Sequence, residues 1–489
     1  MKFYTSVFQR GDKIYVRGYE DGQRVDYIEK YKPYLFLAKN NGFYKTLDGT
    51  RVEKMPFDSI SDAKDFVEKY KDVANMNYWG LTNYQYVFMY DAYPGEINYD
   101  PSVVSVVTID IECAADAGFP DIQKADKEIT AITLRKNGNN IVFGCGEYVE
   151  HAPNIKYIRC KNEQELLAKF LQVWNHDSWK PDIVTGWNIE FFDIPYTVNR
   201  IKNVLGEAEA KKLSPWGILD EREVDFKGKK NQTFSPAGVA VLDYYQLYRK
   251  FTFGNQESYK LDYISQIELG EKKIDYSEYG SLLELYKSNF QKFIEYNIHD
   301  CVLVDRLDEK LKFIEQVMAL AYDAKVNYGD TMTTVRPWDV IIHNYLLDRR
   351  IVIPQFKESK EQFELVGGHV KEPKIGLSKW VVSFDLNSLY PHLIMQYNIS
   401  PETFVKRWGE MPSIDNILNG VNYEFHLRDH DYTYAANGCM YRKDKQGFLP
   451  ALMEKMYNDR VIYKKKMIEA KQELELVEAE MKKRGIFLT

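Results

Sequence analysis

The chain has 489 residues, of which 45% are hydrophobic and 28% are charged, the proportions of a folded globular protein rather than a disordered one. At about 100–200 residues per domain, this length predicts three or four domains. Its apolar runs are far shorter than the roughly 20 residues that a membrane-spanning helix needs, so we expect no membrane partner. The net charge of −7 argues against a protein coated by nucleic acid but is compatible with a local basic channel.

Residues 1–104 are predicted to form a small α+β domain, to which a later segment, 313–356, returns. Strands are expected at 13–20 and 33–38, and a helix at 59–70 with Ser61 as its N-cap. The first ten residues carry no apolar signal segment, and none of the five cysteines lies in a C-x-x-C pair. We therefore expect free thiols in a reducing cytoplasm.

The run Val103–Glu112 is a predicted strand that ends in two carboxylates. Because side chains alternate on a strand, Asp110 and Glu112 share one face, and Ile109 and Ile111 lie on the other and can be buried. Paired acids at a strand end suit a hard cation such as Mg²⁺ or Mn²⁺. An ordinary solvated strand end is the alternative.

The predicted elements of residues 105–312 alternate between strands and helices. Strands are expected at 129–135, 140–145 and 181–188, with a helix at 162–176. Another helix continues to Leu205, with Asp193 at its N-terminus and Pro195 in its first turn. Asp193 alone would be read as a helix cap.

Two further features of this region carry candidate functional residues. Residues 220–235 predict a protruding β-hairpin with turn residues Gly228 and Asn231, and its basic residues are Lys227, Lys229 and Lys230. A plain surface loop is the alternative. The helical segment 282–314 places Tyr296 and Asp300 four residues apart, on one face.

Taken together, the four acids Asp110, Glu112, Asp193 and Asp300 can converge on two cations. Two cations about 4 Å apart stabilise both the attacking and the leaving oxygens when a phosphodiester is cleaved. Tyr296, one helical turn from Asp300, could orient the attacking water.

The order of these residues resembles a known family. Asp110-x-Glu112, then Asn188-x-x-x-Phe192-Asp193, then Tyr296-x-x-x-Asp300 is similar to the three exonuclease motifs of DNA polymerases with DEDDy proofreading domains. The resemblance implies a 3′→5′ exonuclease of ribonuclease-H-like fold that uses two Mg²⁺ or Mn²⁺ ions. It also implies that Asn188, Phe192 and the basic hairpin contact DNA, and that the hairpin helps to part the primer end from its template.

The second half contains a predicted apolar strand, 381–385, that ends in Asp385 and leads through a turn into a helix. A strand, a capping aspartate and a proline-containing turn are the alternative. The segment resembles motif A of family-B polymerases, D-x-x-S-L-Y-P. The segment Asn398-Ile-Ser-Pro-Glu-Thr403, which follows it, is similar to that of T-even-like bacteriophage replicative polymerases. By the resemblance to motif A, Asp385 and the carbonyl of Leu386 bind metal, the amides of Ser388 and Leu389 hold the incoming dNTP, and Tyr390 excludes a ribose 2′-hydroxyl.

Two parts that nucleotidyl transfer needs in this family are missing from the sequence. Neither the second palm acid of a Y-G-D-T-D motif nor the returning fingers helix is present, and Tyr328-Gly329-Asp330-Thr331 is interpreted as a turn. From Tyr463 to Met481 apolar residues step by four and three, which predicts a long helix with an a/d seam that ends at Gly485. By resemblance this is the first fingers helix.

The sequence therefore predicts an α/β and α+β multidomain protein with four parts. These are the N-terminal domain 1–104, the exonuclease domain 105–312, a partial palm 357–449 and the first fingers helix 450–489. The expected function is that of the N-terminal subunit of a split family-B replicative DNA polymerase in a phage-infected bacterial cytoplasm. It would act on primer–template and single-stranded DNA, and it would need a C-terminal polypeptide, which could also bind a sliding clamp, for synthesis.

Two alternatives to this function stay open at the level of the sequence. One is a free-standing 3′→5′ exonuclease whose palm segment has no function. The other is a non-catalytic nucleic-acid-binding regulator that uses residues 1–104 and the tyrosine-rich surfaces.

Overall fold

The structure is a computed structural model that describes most of the chain. The described residues are 1–73, 76–114, 120–226, 228–355, 368, 370–407, 415–416, 419–420, 431–435 and 437–485. They fall into two compact units, one made of Met1–Leu37 with Glu53–Arg349 and the other of Ala38–Val52 with Arg350–Thr489. All five cysteines are free thiols, as predicted. Among the described residues, no helix is long and apolar enough to cross a bilayer.

The N-terminal region is built from short antiparallel strands and two helices. Its strands are β1 (Lys2–Arg10), β2 (Lys13–Glu20), β3 (Gln23–Lys30), β4 (Tyr34–Ala38), β5 (Tyr44–Thr46), β6 (Arg51–Pro56) and β7 (Tyr78–Trp79). Strands β1, β2 and β3 form one antiparallel sheet in that order. The helices are α1 (Ile60–Tyr70) and α2 (Tyr84–Ala92).

The prediction of Ser61 as the cap of the first helix is wrong by two residues. Ser59 is the N-cap, and its side-chain oxygen accepts a hydrogen bond from the N–H of Asp62 at 3.0 Å. Ser61 lies inside the helix, where its N–H donates to the carboxylate of Asp12 at 2.7 Å. Ser59 and Ser61 both lie near the start of the same apolar pattern, so the pattern alone could not decide which serine is the N-cap.

A six-stranded mixed sheet forms the centre of residues 105–312. Its strands are β8 (Val106–Cys113), β9 (Ile129–Lys136), β10 (Asn139–Gly144), β11 (Ile155–Arg159), β12 (Ile183–Gly186) and β15 (Ala240–Asp243). Their order across the sheet is β11-β10-β9-β8-β12-β15, and β8, β12 and β15 run parallel. The predicted strand start at Val103 is wrong, because Pro101–Val103 is a short 3₁₀ helix.

The predicted hairpin is present as strands β13 (Leu219–Phe226) and β14 (Lys229–Pro236). Gly228 adopts a φ of +74° in the turn, a backbone conformation that glycine tolerates best. The prediction of Asn231 as a turn residue is wrong, because it lies within β14 and pairs with Val224.

Helices cover both faces of the mixed sheet. In chain order they are α3 (Glu163–Trp174), α4 (Asp193–Val204), α5 (Glu207–Ala210), α6 (Tyr244–Phe251), α7 (Leu261–Leu269), α8 (Leu282–Ser288) and α9 (Phe290–Leu311). On one face the apolar residues of β8 pack in a cluster with α3 and α4. On the other face, α8 and α9 pack against β9 and β10.

A buried ionic cluster joins the N-terminal sheet to the mixed sheet. The carboxylate of Asp182, just before β12, lies 3.2 Å from Nε of Arg17 and 2.8 Å from a terminal nitrogen of Arg24. It also accepts hydrogen bonds from the hydroxyl of Tyr19 and the N–H of Ser105. The side chains of Arg17 and Asp182 are fully buried, so each depends on the other for compensation of its charge.

Helices α10 (Phe313–Ala324) and α11 (Val335–Asp348) complete the first unit. The segment Tyr328–Met332 between them is a 3₁₀ helix, and its only acid, Asp330, accepts hydrogen bonds from the Tyr86 hydroxyl and the N–H of Asn327. These partners give Asp330 a structural part in the fold.

Besides β5 and the start of β6, the described residues of the second unit contain further short strands and two longer helices. They are β16 (Ile351–Val352), α12 (Leu389–Tyr397), β17 (Phe404–Arg407), β18 (Tyr432–Tyr434), β19 (Cys439–Arg442) and α13 (Phe448–Lys483). The start of α13 is held by Asn398 and Glu402, whose side chains accept hydrogen bonds from the N–H groups of Gly447 and Phe448. Beyond Lys483, Gly485 adopts a φ of +68°, as expected of a residue that ends a helix.

Candidate active site

Strand β8 carries its side chains as the alternation predicts. Val107, Ile109 and Ile111 are buried in the core shared with α3 and α4. Asp110 and Glu112 point to the opposite face, which α9 covers. The sequence forms this arrangement because the apolar residues must be buried on one side, which leaves the acids on the other.

Three of the four predicted acids come together on this face. Asp110, Glu112 and Asp300 each offer a carboxylate oxygen, and these oxygens lie within 4.8 Å of one another. Asp300 belongs to α9 and is 3% exposed. One of its oxygens, Oδ1, is buried and has no hydrogen-bond partner. A buried, unpartnered carboxylate oxygen beside two more carboxylates is what an oxygen-ligated divalent cation requires.

Asp193, the fourth predicted acid, lies beside this cluster but is held differently. It is the first residue of α4, and its Oδ1 accepts a hydrogen bond from the N–H of Ile111 at 3.0 Å. Ile111 lies between Asp110 and Glu112 in β8, so this bond fixes Asp193 to the same strand. The negative charge of Asp193 contributes to the raised pKa values of Asp110 and Glu112.

The electrostatics of the cluster favour a cation. Burial, followed by the charges of neighbouring acids, raises the pKa of Asp110 well above its usual range and that of Glu112 to about 8. Burial also raises the pKa of Asp193 to about 7. Carboxylates this close cannot all be ionised at neutral pH without a compensating positive charge.

Lys273 supplies one positive charge and was missed by sequence reasoning. Its Nζ donates hydrogen bonds to Oδ2 of Asp300 at 2.5 Å and to the hydroxyl of Tyr296 at 3.0 Å. Burial alone would lower the pKa of Lys273, but the negative charges around it, that of Asp300 above all, raise the pKa by more. The net pKa of Lys273 is therefore well above its usual value, and the ammonium stays protonated. Lys273 lies in an irregular segment after α7, where no periodic pattern marks it.

Asn297 is a second residue that the sequence reasoning missed. Its amide nitrogen donates to Oδ2 of Asp110 at 2.6 Å, and its amide oxygen accepts a hydrogen bond from the Thr133 hydroxyl. Asn297 is three residues before Asp300 on α9, so helical spacing could have placed it on the site face. It fixes the orientation of the Asp110 carboxylate.

The predicted DNA-contacting residues of the first unit fall into two groups. Asn188 and Phe192 lie in the turn that leads from β12 to Asp193, and both are half-buried. At the hairpin tip, Lys230 is exposed and pairs with Glu223 at 2.7 Å. Lys227 and the side chain of Lys229 lie outside the described residues.

The predicted motif A segment differs from the expectation. Residues 381–385 are not a strand, and the side chains of Val381, Val382 and Phe384 are at least 70% exposed. Asp385 at the end of this run is likewise exposed. An isolated strand is not stable without partner strands to complete its backbone hydrogen bonds, and none of the described residues pairs with this run.

The residues after Asp385 do form the predicted turn and helix. Ser388 precedes α12 with a φ of +52°, and its carbonyl accepts a hydrogen bond from the N–H of His392. Leu386, Leu389 and Tyr390 are exposed, at 69%, 41% and 72%. From α13, the guanidinium of Arg460 donates to the Ser388 hydroxyl at 3.2 Å, a neighbour that the sequence did not indicate.

Comparison with known proteins gives the class of each half. The profile described as "DNA polymerase family B, exonuclease domain" matches residues 71–264, so the part of the chain that carries Asp110, Glu112 and Asp193 is an exonuclease domain. The profile described as "DNA polymerase family B" matches residues 338–484. The chain belongs to DNA polymerase family B, which confirms the predicted multidomain α/β architecture.

Individual relatives agree with this assignment. The chain is 34% identical to the DNA-directed DNA polymerase of Escherichia phage RB69 and 32% identical to that of Enterobacteria phage T4, over 97% of this chain in each case. It spans 55% of the length of both phage proteins. A DNA polymerase of Thermococcus litoralis is 24% identical over 92% of this chain and 26% of its own length.

Proposed function

We propose that residues 105–312 hydrolyse single-stranded DNA from its 3′ end with the help of two Mg²⁺ or Mn²⁺ ions. The observation that carries this proposal is the approach of Asp110, Glu112 and Asp300 to within 4.8 Å of one another, with an unpartnered oxygen on Asp300. Asp193, tied to the same strand, would complete the ligand set. Bound divalent ions would activate water and stabilise the charge that develops on the phosphate.

The protein's own groups have distinct parts in this reaction. A water oxygen attacks the terminal phosphorus, and the bond from phosphorus to the preceding nucleotide's 3′-oxygen breaks. Lys273 holds the Tyr296 hydroxyl, which we propose orients the attacking water. Asn297 holds Asp110 in place. Asn188 and Phe192, in the turn before Asp193, bind the terminal nucleotide.

The test is hydrolysis of a 5′-labelled single-stranded oligodeoxynucleotide by the purified chain in Mg²⁺ or Mn²⁺. We expect the wild type to shorten the oligonucleotide stepwise from its 3′ end, and a variant with both Asp110→Asn and Glu112→Gln to lose at least about 10³-fold in rate. Asp323→Asn, on an exposed face of α10, is the matched control and should retain full activity. Equal activity in all three proteins would contradict the proposal.

We further propose that residues around α12 form part of a polymerase site. The resemblance to motif A assigns Asp385 and the Leu386 carbonyl to a metal ion, and Ser388, Leu389 and Tyr390 to the incoming dNTP. The hydrogen bond from the Arg460 guanidinium to the Ser388 hydroxyl supports this assignment, because a guanidinium beside Ser388 could bind phosphate oxygens. Asp385 is the one motif acid of this site found in the sequence, so synthesis needs a second carboxylate from polypeptide outside these 489 residues.

In its most specific form, the proposal is that this chain is the N-terminal subunit of a split replicative polymerase. A separate C-terminal chain would supply that carboxylate, the rest of the fingers and the thumb. Primer–template DNA would be shared between the chains, a sliding clamp would bind through the partner, and the enzyme would act in infected bacterial cytoplasm. Mixing this chain with a polypeptide that carries the missing motifs, on primer–template with dNTPs and Mg²⁺, should give primer extension that neither chain gives alone. Asp385→Asn should abolish extension, and extension by this chain alone would contradict the proposal.

A further inference from the structure

Asp243 is a buried carboxylate outside the metal cluster that neither the sequence motifs nor the proposed chemistry uses. It ends β15, where it pairs with Gly186 at the end of β12, and it is 3% exposed. Its carboxylate accepts hydrogen bonds from three backbone N–H groups. These belong to Asn188 at 2.9 Å, Tyr245 at 3.0 Å and Glu190 at 3.1 Å.

Two of these three bonds hold the turn that follows β12 rather than the helix that Asp243 caps. Asn188 adopts a φ of +67°, a left-handed conformation that asparagine tolerates better than other residues with a side chain. The hydrogen bonds to Asp243 hold the backbone of the turn in this conformation. The bonds from the N–H groups of Asn188 and Glu190 to Asp243 fix the peptide units that precede these two residues, one on each side of the left-handed Asn188 and Ile189.

The backbone of this turn also determines the position of Phe192. The carbonyl of Asn188 accepts hydrogen bonds from the N–H groups of Phe191 and Phe192, at 3.3 and 3.1 Å. Phe192 is the residue that immediately precedes α4. One carboxylate therefore holds, directly or through one further hydrogen bond, the backbone of both residues to which the proposed exonuclease assigns the terminal nucleotide.

Asp193, by contrast, has an anchor of its own. Its bond to the N–H of Ile111 ties it directly to β8 and does not involve Asp243. The two ends of the segment 188–193 are thus held by different groups. Loss of Asp243 should disturb Asn188 and Phe192 more than it disturbs the carboxylate cluster.

We infer that Asp243 is a positioning residue that sets the geometry of the nucleotide-binding turn, so that it governs DNA affinity rather than the rate of the chemical step. This inference rests on the proposed exonuclease function. The Asp243→Asn variant keeps one acceptor oxygen, but its NH₂ group faces a backbone N–H, so at least one of the three bonds is lost.

The experiment compares binding with turnover. The dissociation constant for a short fluorescein-labelled oligo(dT) is measured by anisotropy in EDTA, where nothing is hydrolysed, and kcat and KM are measured in Mn²⁺. For Asp243→Asn we expect Kd and KM to rise about tenfold or more and kcat to change by less than about threefold. A fall in kcat with unchanged Kd and KM would overturn the inference.

Two further variants separate this role from simple loss of a helix cap. Asn162→Ala removes the N-cap of α3, where the Asn162 side chain accepts a hydrogen bond from the N–H of Glu165, and should leave Kd unchanged. Asn188→Gly removes the side chain and keeps a residue suited to the left-handed backbone. If Asp243 acts through Asn188, the double variant Asp243→Asn with Asn188→Gly should bind no more weakly than Asn188→Gly alone.

The outcomes distinguish this inference from the proposed function. A wild type that binds oligo(dT) but hydrolyses nothing contradicts the exonuclease, and the Kd series still tests Asp243. Additive losses in the double variant, or a loss in Asn162→Ala equal to that in Asp243→Asn, would overturn the positioning role.

Discussion

Removing the ammonium of Lys273 should shift the pH dependence of the exonuclease. Lys273→Met keeps most of the length of the side chain and removes the hydrogen bonds to Asp300 and Tyr296. Hydrogen bonds to charged groups contribute about 1.5–3 kcal/mol. Because the Lys273 side chain is 28% exposed, solvent screening makes the lower end of that range appropriate. At 1.36 kcal/mol per pKa unit, the expected change at Asp300 is about one unit.

The direction follows from the charges. Burial already raises the pKa of Asp300, and Lys273 counteracts this because it stabilises the ionised carboxylate. Without Lys273 the pKa rises further, so the ionised form that binds a cation appears only at higher pH. The acidic limb of the kcat/KM profile should move up by about one pH unit, so that activity is lost on the acidic side and recovers as the pH rises.

The measurement is kcat/KM for single-stranded oligonucleotide hydrolysis between pH 5.5 and 9.5. Lys272→Met is the matched control, since it removes the same charge from an exposed neighbour and should leave the profile unmoved. An acidic limb that does not move in Lys273→Met, or that moves equally in both variants, would contradict this role of the Lys273 ammonium.

Three further predictions concern the fold around the site. In EDTA, Glu112→Gln should raise Tm by about 2–6 °C at pH 8. The folded-state pKa of Glu112 is about 8, above that of the unfolded chain, so loss of this proton opposes folding. The gain should vanish towards pH 5, as the carboxyl of the unfolded chain also becomes protonated. Asp182→Asn should lower the free energy of unfolding, measured with denaturant, by about 3–5 kcal/mol, because it leaves the buried Arg17 charge uncompensated. Asp58→Asn, which breaks the exposed ion pair of Lys32 and Asp58, should lower it by less than about 1 kcal/mol. Gly186→Ala should lower both Tm and exonuclease activity, because a Cβ there would lie 2.4 Å from the carbonyl oxygen of Ile109; an unchanged Tm would refute the close approach.

Strand and helix periodicity were sufficient to predict the face of each acid. The alternation in β8 put Asp110 and Glu112 opposite a buried face, and the helical spacing put Tyr296 and Asp300 on one side of α9. Both predictions rest on local geometry, which the sequence determines directly. That the carboxylates meet was a hypothesis until the order β9-β8-β12 and the covering helix α9 placed them together.

The groups that tune the site were beyond the reach of sequence patterns. Lys273 donates a hydrogen bond to Asp300 from an irregular segment 27 residues earlier in the chain. Asp243, at the end of β15, accepts one from Asn188, which follows the neighbouring strand β12. Neither position lies in a periodic element that points to its partner. The predicted strand 381–385 is absent for a related reason, since an apolar run predicts a strand but not the neighbours with which that strand must pair.

Binding of divalent cations by the carboxylates on β8 and α9 can be observed by anomalous scattering from crystals soaked in Mn²⁺. We expect a manganese peak about 2.1 Å from oxygens of Asp110, Glu112 and Asp300, with Oδ1 of Asp300 among the ligands. Peaks confined to other carboxylates, with these three oxygens free of metal at saturating Mn²⁺, would contradict it.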